Sequence, residues 1–444
     1  MRTTTITIFS LLTIVSSAIA QQACDPIELD IVDQDTVQFG TSVAIHSGLI
    51  AVGSEFENFR AGSAHIYNSN SGIFEQRLFP HNGSAGDQYG LSVAVSEGWI
   101  LVAAPQIEGP NGEINEGAVY AYDRDSMTLQ HYITPDDEWS SALFGKKIAI
   151  DGSTALISDN NLELGYNQYA AYLYDLTSGE QLFKLLPDPN AGLNRFGSDL
   201  DLYGNYAVVG AFTASIGAEE SGVAYLFNSA TGQLLHKLSA LNPVNYERLG
   251  SSVAIHGSLV AAGALGTEVM GVGGAGSVYL FDAQSGEQIH RLAALDPEIA
   301  DRFGRAIDCN EKYIVVSAFQ TATWFNDAGA VYIFDAKTFK QLAKITPPIE
   351  RLYYQFGFDV ALSDDTLIVS EWATDSRVQN PISKAYRYDL NCTPLCAPDL
   401  NDDGSLNFFD ISIFLTMLPD YNADDEFNFF DVSEFLADFA AGCP

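Results

Sequence analysis

Short apolar segments recur along the chain, and each recurrence opens with the same two-residue step, an aromatic residue or leucine followed by glycine. The step occurs seven times at intervals of 50 to 55 residues: Phe39-Gly40, Tyr89-Gly90, Phe144-Gly145, Phe196-Gly197, Leu249-Gly250, Phe303-Gly304 and Phe356-Gly357. A fixed internal period of this size is typical of repeat architectures in which each repeat is one supersecondary unit. The pattern therefore predicts seven equivalent units.

Within each repeat, four short strands are expected to follow one another. The step leads into a first strand such as Val43–Ile45, and a second apolar strand such as Leu49–Val52 follows it. A third strand carries an aromatic residue at every second position, as at Tyr120 and Tyr122, and a turn precedes a fourth strand such as Gln288–Leu292. A period of two places these aromatic side chains on one face of the strand, where they can pack between units. Four-stranded units repeated radially are the blades of a β-propeller.

The two ends of the repeat region complement each other. The seventh repeat stops after its third strand, Tyr386–Leu390, whereas the segment Ile27–Ile31 precedes the first step and has no repeat of its own. The N-terminal segment can therefore supply the missing strand of the last blade, which closes the ring and removes an exposed sheet edge. We predict an all-β seven-bladed propeller over residues 21–391.

The glycine steps and the strand order resemble those of the FG-GAP repeat family, which includes the head propeller of integrin α chains. The resemblance covers residues 25–391, and the third and seventh repeats depart from it at Tyr169-Ala170 and Ser383-Lys384, where the others mostly have glycine before the third strand. Integrin-like propellers also carry an Asp-rich calcium loop between the second and third strands. The corresponding loops here, such as Pro105–Glu116, lack that spacing of carboxylates, so no calcium site is expected on the propeller.

Residues 397–444 contain neither Lys nor Arg and hold a duplication at a spacing of 21 residues. Each copy places oxygen-bearing residues at the spacing of an EF-hand loop, in which a hard cation takes six to eight oxygen ligands. The first predicted ligand set is Asp399, Asn401, Asp403, Ser405 through its carbonyl, Asn407 and Asp410, and the second is Asp420, Asn422, Asp424, Glu426, Asn428 and Asp431. We expect two Ca²⁺ sites; the second has Asp425 where the first has Gly404 for the sharp turn, and should be the weaker.

Two such loops, each followed by one apolar helical segment, resemble a type I dockerin, the module that plugs into cohesin domains. The resemblance implies a small α-helical, EF-hand-like calcium module that follows a short linker, residues 392–396, and docks to a cohesin-like or other protein. Phe408-Phe409 and Phe429-Phe430 stand where ordinary dockerins often have small hydroxyl residues. Cys396 and Cys443 frame the module, as in the cysteine-framed dockerin variant of secreted bacterial proteins.

The N-terminal residues predict export. Arg2 precedes the apolar run Ile6–Val15, and Ala18-Ile19-Ala20 resembles a cleavage site, so residues 1–20 are expected to be a signal peptide. No other segment reaches the roughly 20 apolar residues that a spanning helix needs, and we expect no membrane span. The protein should be secreted, to the extracellular space or the cell surface.

The formal net charge is −36 and is spread along the chain. A surface of this sign disfavours nucleic acid and anionic membrane as partners, because both carry the same sign of charge. In an oxidising compartment the five cysteines are candidates for disulfides. Cys309 falls at an apolar strand position and is expected to be a buried thiol; Cys24, Cys392, Cys396 and Cys443 then allow three connectivities, of which adjacency favours Cys24–Cys392 and Cys396–Cys443.

The chemistry-bearing residues favour binding over catalysis. The seven histidines fall at unrelated repeat positions, with no zincin helix or serine elbow around them. Candidate ligand contacts are non-recurring aromatic residues of the predicted loops, which the repeat does not explain: Phe56, Phe59, Tyr166, Trp324, Phe325 and Trp372. The leading hypothesis is a non-catalytic protein whose propeller recognises an extracellular protein or glycan and whose module docks it to an assembly or cell surface in a calcium-dependent way. The alternatives are a dockerin-tethered propeller enzyme acting on polysaccharide, and a structural surface-layer component.

Overall fold

The computed structural model describes residues 26–30, 39–81, 83–108, 115–135, 143–159, 169–189, 194–319, 329–349, 354–373 and 383–391. Within these residues, 28 strands pair into seven four-stranded antiparallel sheets. Each sheet is one blade, and six of the seven contain four consecutive strands. The predicted all-β seven-bladed propeller is therefore confirmed.

The strands follow the order expected from the repeat, with the first strand of each blade innermost. Blades 1 to 4 comprise β2 (Val43–His46), β3 (Leu49–Ser54), β4 (Ser63–Asn68) and β5 (Phe74–Leu78); β6 (Val93–Val95), β7 (Trp99–Ala104), β8 (Ala118–Asp123) and β9 (Leu129–Ile133); β10 (Ile148–Asp151), β11 (Thr154–Asp159), β12 (Ala170–Asp175) and β13 (Glu180–Leu185); β14 (Leu200–Tyr203), β15 (Tyr206–Ala211), β16 (Val223–Asn228) and β17 (Leu234–Leu238). Blades 5 to 7 comprise β18 (Leu249–His256), β19 (Leu259–Ala264), β20 (Ser277–Asp282) and β21 (Gln288–Leu292); β22 (Ile307–Cys309), β23 (Tyr313–Ala318), β24 (Ala330–Asp335) and β25 (Gln341–Ile345); β26 (Tyr354–Ser363), β27 (Thr366–Ala373), β28 (Lys384–Asp389) and β1 (Ile27–Glu28).

The hydrophobic core lies between adjacent blades. In blade 4 the ring of Phe196 packs edge-on against Tyr225 and Phe227, with centroids 5.4 and 6.0 Å apart, and this group faces apolar side chains of blade 3. Blade 6 repeats the arrangement at Phe303. Edge-to-face packing at these separations is favourable for aromatic rings. The aromatic columns are therefore core, as the sequence predicts.

Glycine before the third strand lets neighbouring blades approach through their backbones. Gly62 and Gly276 have φ of 84° and 87°, and a Cβ atom there would lie 1.9 and 2.3 Å from the carbonyl oxygens of Tyr89 and Phe303 in the next blade. Both glycines form isolated bridges to those residues. A larger residue would meet both backbone strain and a steric clash.

The N-terminal segment closes the ring as predicted. The strand that it forms, β1, is shorter than the segment Ile27–Ile31 from which the sequence predicts it. β1 pairs antiparallel with β28, with Ile27 opposite Arg387. The Lys384 Nζ atom lies 2.5 Å from a Glu28 carboxylate oxygen, and the Leu29 N–H donates to the Ala385 carbonyl at 2.9 Å. No helix in the described part of the chain has the length and apolar character needed to cross a bilayer.

Candidate binding face at the mouth of the propeller channel

The seven inner strands surround a central channel with a cavity of about 430 Å³. In each blade a connection joins the second strand to the third. The end of this connection lies beside the start of the inner strand of the next blade, as the bridge between Gly62 and Tyr89 shows. These connections and the glycine steps therefore lie at one end of the channel, which we call the loop face. Loops at the end of a propeller are the usual place for variable side chains, because the strands behind them hold their positions.

Polar side chains in the channel accept hydrogen bonds from the inner edge of five of the seven blades, among the residues that the structure describes. The innermost strand has N–H groups without a partner in its own sheet, and side chains of the preceding blade accept from them. The donor and acceptor pairs are Val93 N to Ser42 Oγ (3.1 Å), Ile148 N to Ser92 Oγ (3.2 Å), Val253 N to Asp199 Oδ2 (2.9 Å), Ile255 N to Asp201 Oδ2 (2.7 Å), Leu362 N to Asp308 Oδ2 (2.6 Å) and Val43 N to Asp359 Oδ2 (2.9 Å). Buried backbone groups need such partners, so these polar side chains have a structural function.

Charged side chains also lie in the channel. The Lys147 Nζ atom lies 3.3 Å from Asp199 Oδ1, and that carboxylate raises the pKa of the lysine. Burial raises the pKa of Asp308 to about 7 and also raises that of Asp201. Five blades have alanine at the position of these two aspartates: Ala44, Ala94, Ala149, Ala254 and Ala361. Among the residues described, no group of three or more His, Cys, Asp or Glu side chains is placed to hold a metal ion.

Three aromatic side chains meet at the channel mouth on the loop face. The rings of Phe358 and Trp372, both from blade 7, stack with centroids 5.0 Å apart and an interplanar angle of 18°. Phe56 of blade 1 packs against Trp372 at 5.7 Å, and the Arg60 guanidinium lies over the Phe56 ring at 4.7 Å. All three rings are half-buried, and Arg60 is exposed. They form an amphipathic surface with solvent access.

A second arginine continues this surface into blade 6. The Arg305 guanidinium lies between two rings, 5.5 Å from the centroid of Phe319 and 5.2 Å from that of Phe358. Cation–π contacts of this kind hold a guanidinium in a defined orientation. Together Phe319, Arg305, Phe358, Trp372, Phe56 and Arg60 form a continuous set of ring contacts across blades 6, 7 and 1, which we call the cation–aromatic arc.

A buried carboxyl group adjoins the arc in blade 1. Glu55 is only 6% exposed, and burial raises its pKa to about 7 against the opposing charges of Arg60 and Lys146. Its Oε2 atom has no hydrogen-bond partner among the described residues. Glu55 therefore changes charge near neutral pH beside the ring of Phe56.

The loop that carries Arg60 is held by a buried polar network. Asn58, Phe59 and Arg60 all have positive φ, between 48° and 70°, and Phe59 is 92% exposed. Such a backbone persists only where its surroundings fix it. Here the buried Glu57 accepts a hydrogen bond from Ser63 and forms an ion pair with Arg77.

The same network contains a serine, a histidine and a glutamate without the geometry of a catalytic triad. The Ser63 Oγ and Glu57 Oε2 atoms lie 3.0 and 3.3 Å from one and the same ring nitrogen of His65, Nε2. A triad needs the two partners on opposite nitrogens of the imidazole. All three side chains are also buried, so this network anchors the loop.

Of the candidate ligand contacts, the structure brings two together. Phe56 and Trp372 touch each other in the arc, whereas Phe59 projects alone from its loop. Trp372 lies within β27, so its interpretation as a loop residue was wrong. Tyr166, Trp324 and Phe325 lie outside the described residues.

Sequence reasoning missed the other members of the arc, although the repeat contains a signal for them. Phe358 and Arg305 directly follow the glycine of their step, where the other blades have Thr41, Leu91, Lys146, Ser198 and Ser251. Phe319 and Trp372 both sit at the loop-face end of the second strand, as does Phe212 in blade 4. Comparison of repeat positions one by one would have selected these residues.

The sites predicted for the C-terminal module lie outside the described residues. This applies to the calcium ligands Asp399, Asn401, Asp403, Ser405, Asn407, Asp410, Asp420, Asn422, Asp424, Glu426, Asn428 and Asp431, and to the cysteines Cys24, Cys392, Cys396 and Cys443. Cys309 is buried and its thiol is free.

Comparison with known proteins identifies the repeat. Residues 73–122, 180–227 and 287–334 match the model of the FG-GAP repeat. Each match begins at the outer strand of one blade and ends in the third strand of the next, so it spans a blade interface. No curated protein matches the chain. The chain is therefore a seven-bladed β-propeller that contains FG-GAP repeats across three of its blade interfaces.

Proposed function

We propose that this protein is secreted and non-catalytic, and that the loop face of its propeller binds an extracellular protein or glycan. The observation that carries the proposal is the cation–aromatic arc, in which the stacked Phe358 and Trp372 rings remain half exposed at the channel mouth. Aromatic and arginine side chains are enriched at binding hot spots because they combine apolar area with polar groups. The arc spans three blades, so a rigid scaffold fixes its shape.

The proposal includes a second attachment point at residues 397–444. The spacing of oxygen-bearing residues from Asp399 to Asp410 and from Asp420 to Asp431 supports two Ca²⁺ sites. The dockerin-like duplication supports calcium-dependent docking to a cohesin-like or other protein of an assembly or cell surface. The propeller then presents its loop face to a ligand while the module attaches the chain.

The test is a binding screen of the full chain on immobilised glycans and extracellular proteins, followed by variants. Trp372→Ala and Phe358→Ala should weaken binding of any ligand by about tenfold or more, the usual effect of removing a hot-spot aromatic. Tyr203→Ala is the matched control, because the Tyr203 ring packs against His256 at the opposite end of the channel. Binding that is lost in the Tyr203 variant and kept in the other two would contradict the proposed face.

A polysaccharide-cleaving enzyme is the alternative, and the raised pKa values of Asp308 and Asp201 are the observation that favours it. General acids in glycoside hydrolysis need such a shift. Both carboxylates, however, already accept backbone hydrogen bonds from the next blade. Release of new reducing ends from polysaccharides by the wild type, and its loss in Asp308→Asn, would establish the enzyme instead.

A further inference from the structure

Three arginines occupy the same repeat position in consecutive blades. Arg195, Arg248 and Arg302 each directly precede the step, in blades 4, 5 and 6, and each has a positive φ, of 50°, 62° and 54°. All three side chains are exposed. The next residue in each case is buried in the blade interface, so the arginines project from fixed, equivalent points around the loop face. The corresponding residues of blades 2 and 3 are Gln88 and Leu143.

Most of this positive charge is not neutralised nearby. Arg248 forms an exposed ion pair with Glu220 at 3.3 Å. Among the described residues, no ion pair involves Arg195 or Arg302, and the Arg195 guanidinium lies over the Phe212 ring at 5.1 Å. Burial and the neighbouring Arg302 lower the pKa of Arg305. The carboxylates of Asp359 and Asp199 act in the opposite direction and raise it. An anionic ligand would relieve the repulsion between Arg302 and Arg305.

The exposed arginines stand out because basic residues are few in this chain. The chain carries a formal net charge of −36 with only 21 Lys and Arg residues. The basic residues at the loop-face end of the blades include Arg60, Lys146, Lys147, Arg195, Arg248, Arg302 and Arg305. Carboxylates such as Glu219, Glu220 and Asp301 lie at the same end, so the arginines offer local contact points for anions within a surface of mixed charge.

The arginines and the arc together select the class of ligand. Guanidinium groups bind carboxylate or sulfate through paired hydrogen bonds, and the stacked Phe358 and Trp372 rings offer a flat apolar face to the C–H groups of a sugar ring. Cations repeated at one position in consecutive blades match a polymer whose charges also repeat. We propose that the loop face binds an acidic polysaccharide, with its anionic groups on Arg195, Arg302 and Arg305 and a sugar ring on Trp372. This inference rests on the proposed binding function of that face.

The experiment titrates the full chain with polygalacturonate, with a sulfated galactan and with the neutral galactan, at low and high NaCl. Polygalacturonate or the sulfated polymer should bind, and the neutral polymer should bind at least about tenfold more weakly because it lacks the charge-assisted hydrogen bonds. The stronger of the two anionic probes identifies carboxylate or sulfate as the preferred group. The affinity should fall as the salt concentration rises.

Variants locate the site. Arg195→Gln with Arg248→Gln and Arg302→Gln should lower the affinity about tenfold or more and flatten its salt dependence. The matched control removes three positive charges from the opposite end of the blades, by Lys→Gln changes at Lys312, Lys337 and Lys340. Thermal unfolding of each variant verifies the fold. An equal loss of affinity in both triple variants would overturn the inference, because only net charge would then matter.

The remaining outcomes separate this inference from the proposed function. If Trp372→Ala abolishes binding and the arginine variant does not, the loop face binds a ligand but not through its anionic groups, and the inference fails alone. Equal binding of poly-glutamate and polygalacturonate would replace the polysaccharide by an acidic protein. Binding of the acidic probes that neither variant changes would place their site elsewhere and overturn both proposals.

Discussion

Asp359 of the last blade accepts a hydrogen bond from the backbone N–H of Val43 in the first blade, at 2.9 Å and across 316 residues of sequence. This contact lies at the channel side of the seam that closes the ring. The pairing of β1 with β28 lies at the outer side. The closure is therefore held at both edges of blade 7.

Asp359→Ala should destabilise the propeller by about 1 to 3 kcal/mol, the usual cost of leaving a buried donor without an acceptor. Asp359→Asn keeps an acceptor and should lose less. Ser42→Ala, which removes the equivalent acceptor between blades 1 and 2, is the control for a seam inside the chain. Urea unfolding measures all three; a stability of Asp359→Ala equal to that of the wild type would contradict a structural function of this contact.

Asp308 gives the propeller a pH-dependent stability term of defined sign. Burial raises its pKa from 3.8 to about 7, so between about pH 4 and pH 7 the folded state keeps a proton that the unfolded state releases. This term therefore destabilises the fold as pH rises through that window. Asp308→Asn removes this pH dependence. The free energy of unfolding of the variant should therefore rise relative to that of the wild type between pH 4 and pH 8, by on the order of a few kcal/mol.

Asp365 is the control for that experiment, because its effect on stability depends on pH in the opposite direction. Its hydrogen bond with Lys312 lowers its pKa, so its contribution is present above its unfolded pKa and is lost as pH falls. Asp365→Asn should therefore approach the wild type in stability at low pH. Melting temperatures from about pH 2 to about pH 8 measure both variants, because the Asp365 contribution is lost only below its unfolded pKa of 3.8. Parallel curves for Asp308→Asn and the wild type would refute the assignment.

The glycine before the third strand should tolerate alanine poorly because of the adjacent blade. Gly276 and Gly152 both have positive φ, 87° and 55°, but only Gly276 has a backbone oxygen of the next blade within contact of a Cβ atom. Gly152→Ala should cost about 1 to 2 kcal/mol from the left-handed backbone alone. Gly276→Ala should cost about 1 to 3 kcal/mol more from overpacking. Equal unfolding free energies of the two variants would show that the blade contact adds nothing.

Cys309 should be chemically silent in the native protein. Burial raises the pKa of its thiol well above the ordinary value, and the thiolate is the reactive form. A thiol reagent should label it only after unfolding.

Peptide mapping under non-reducing conditions tests the predicted disulfides, Cys24–Cys392 and Cys396–Cys443. A disulfide that contains Cys309 would contradict the assignment.

The full chain should bind two calcium ions. Without a cation the carboxylates of Asp399, Asp403 and Asp410 repel one another, and residues 397–444 contain no Lys or Arg to neutralise them. Calorimetric titration of the wild type should show two sites, and Asp399→Asn with Asp410→Asn should leave one. No calcium uptake in the millimolar range or below would remove the basis for docking.

The sequence predicts the ring but not the composition of its mouth, and the reason is physical. Phe196 and Gly197 are dictated by the blade interface, which is the same in every repeat, so period alone reveals them. Arg305 and Trp372 meet Phe358 through positions that vary from blade to blade and that come from different blades. Such contacts depend on the assembled ring, so a single repeat does not reveal them.

The hydrogen bonds along the channel make the blades interchangeable in principle. In these hydrogen bonds the donor is a main-chain N–H, as at Val43, Val93 and Val253, and the acceptor is serine or aspartate. A duplicated or transposed blade can therefore pair with any neighbour that has serine or aspartate at the acceptor position, whatever its own sequence at the donor position. Recombination between repeats can thus redistribute loop-face side chains around the ring while the seams remain intact.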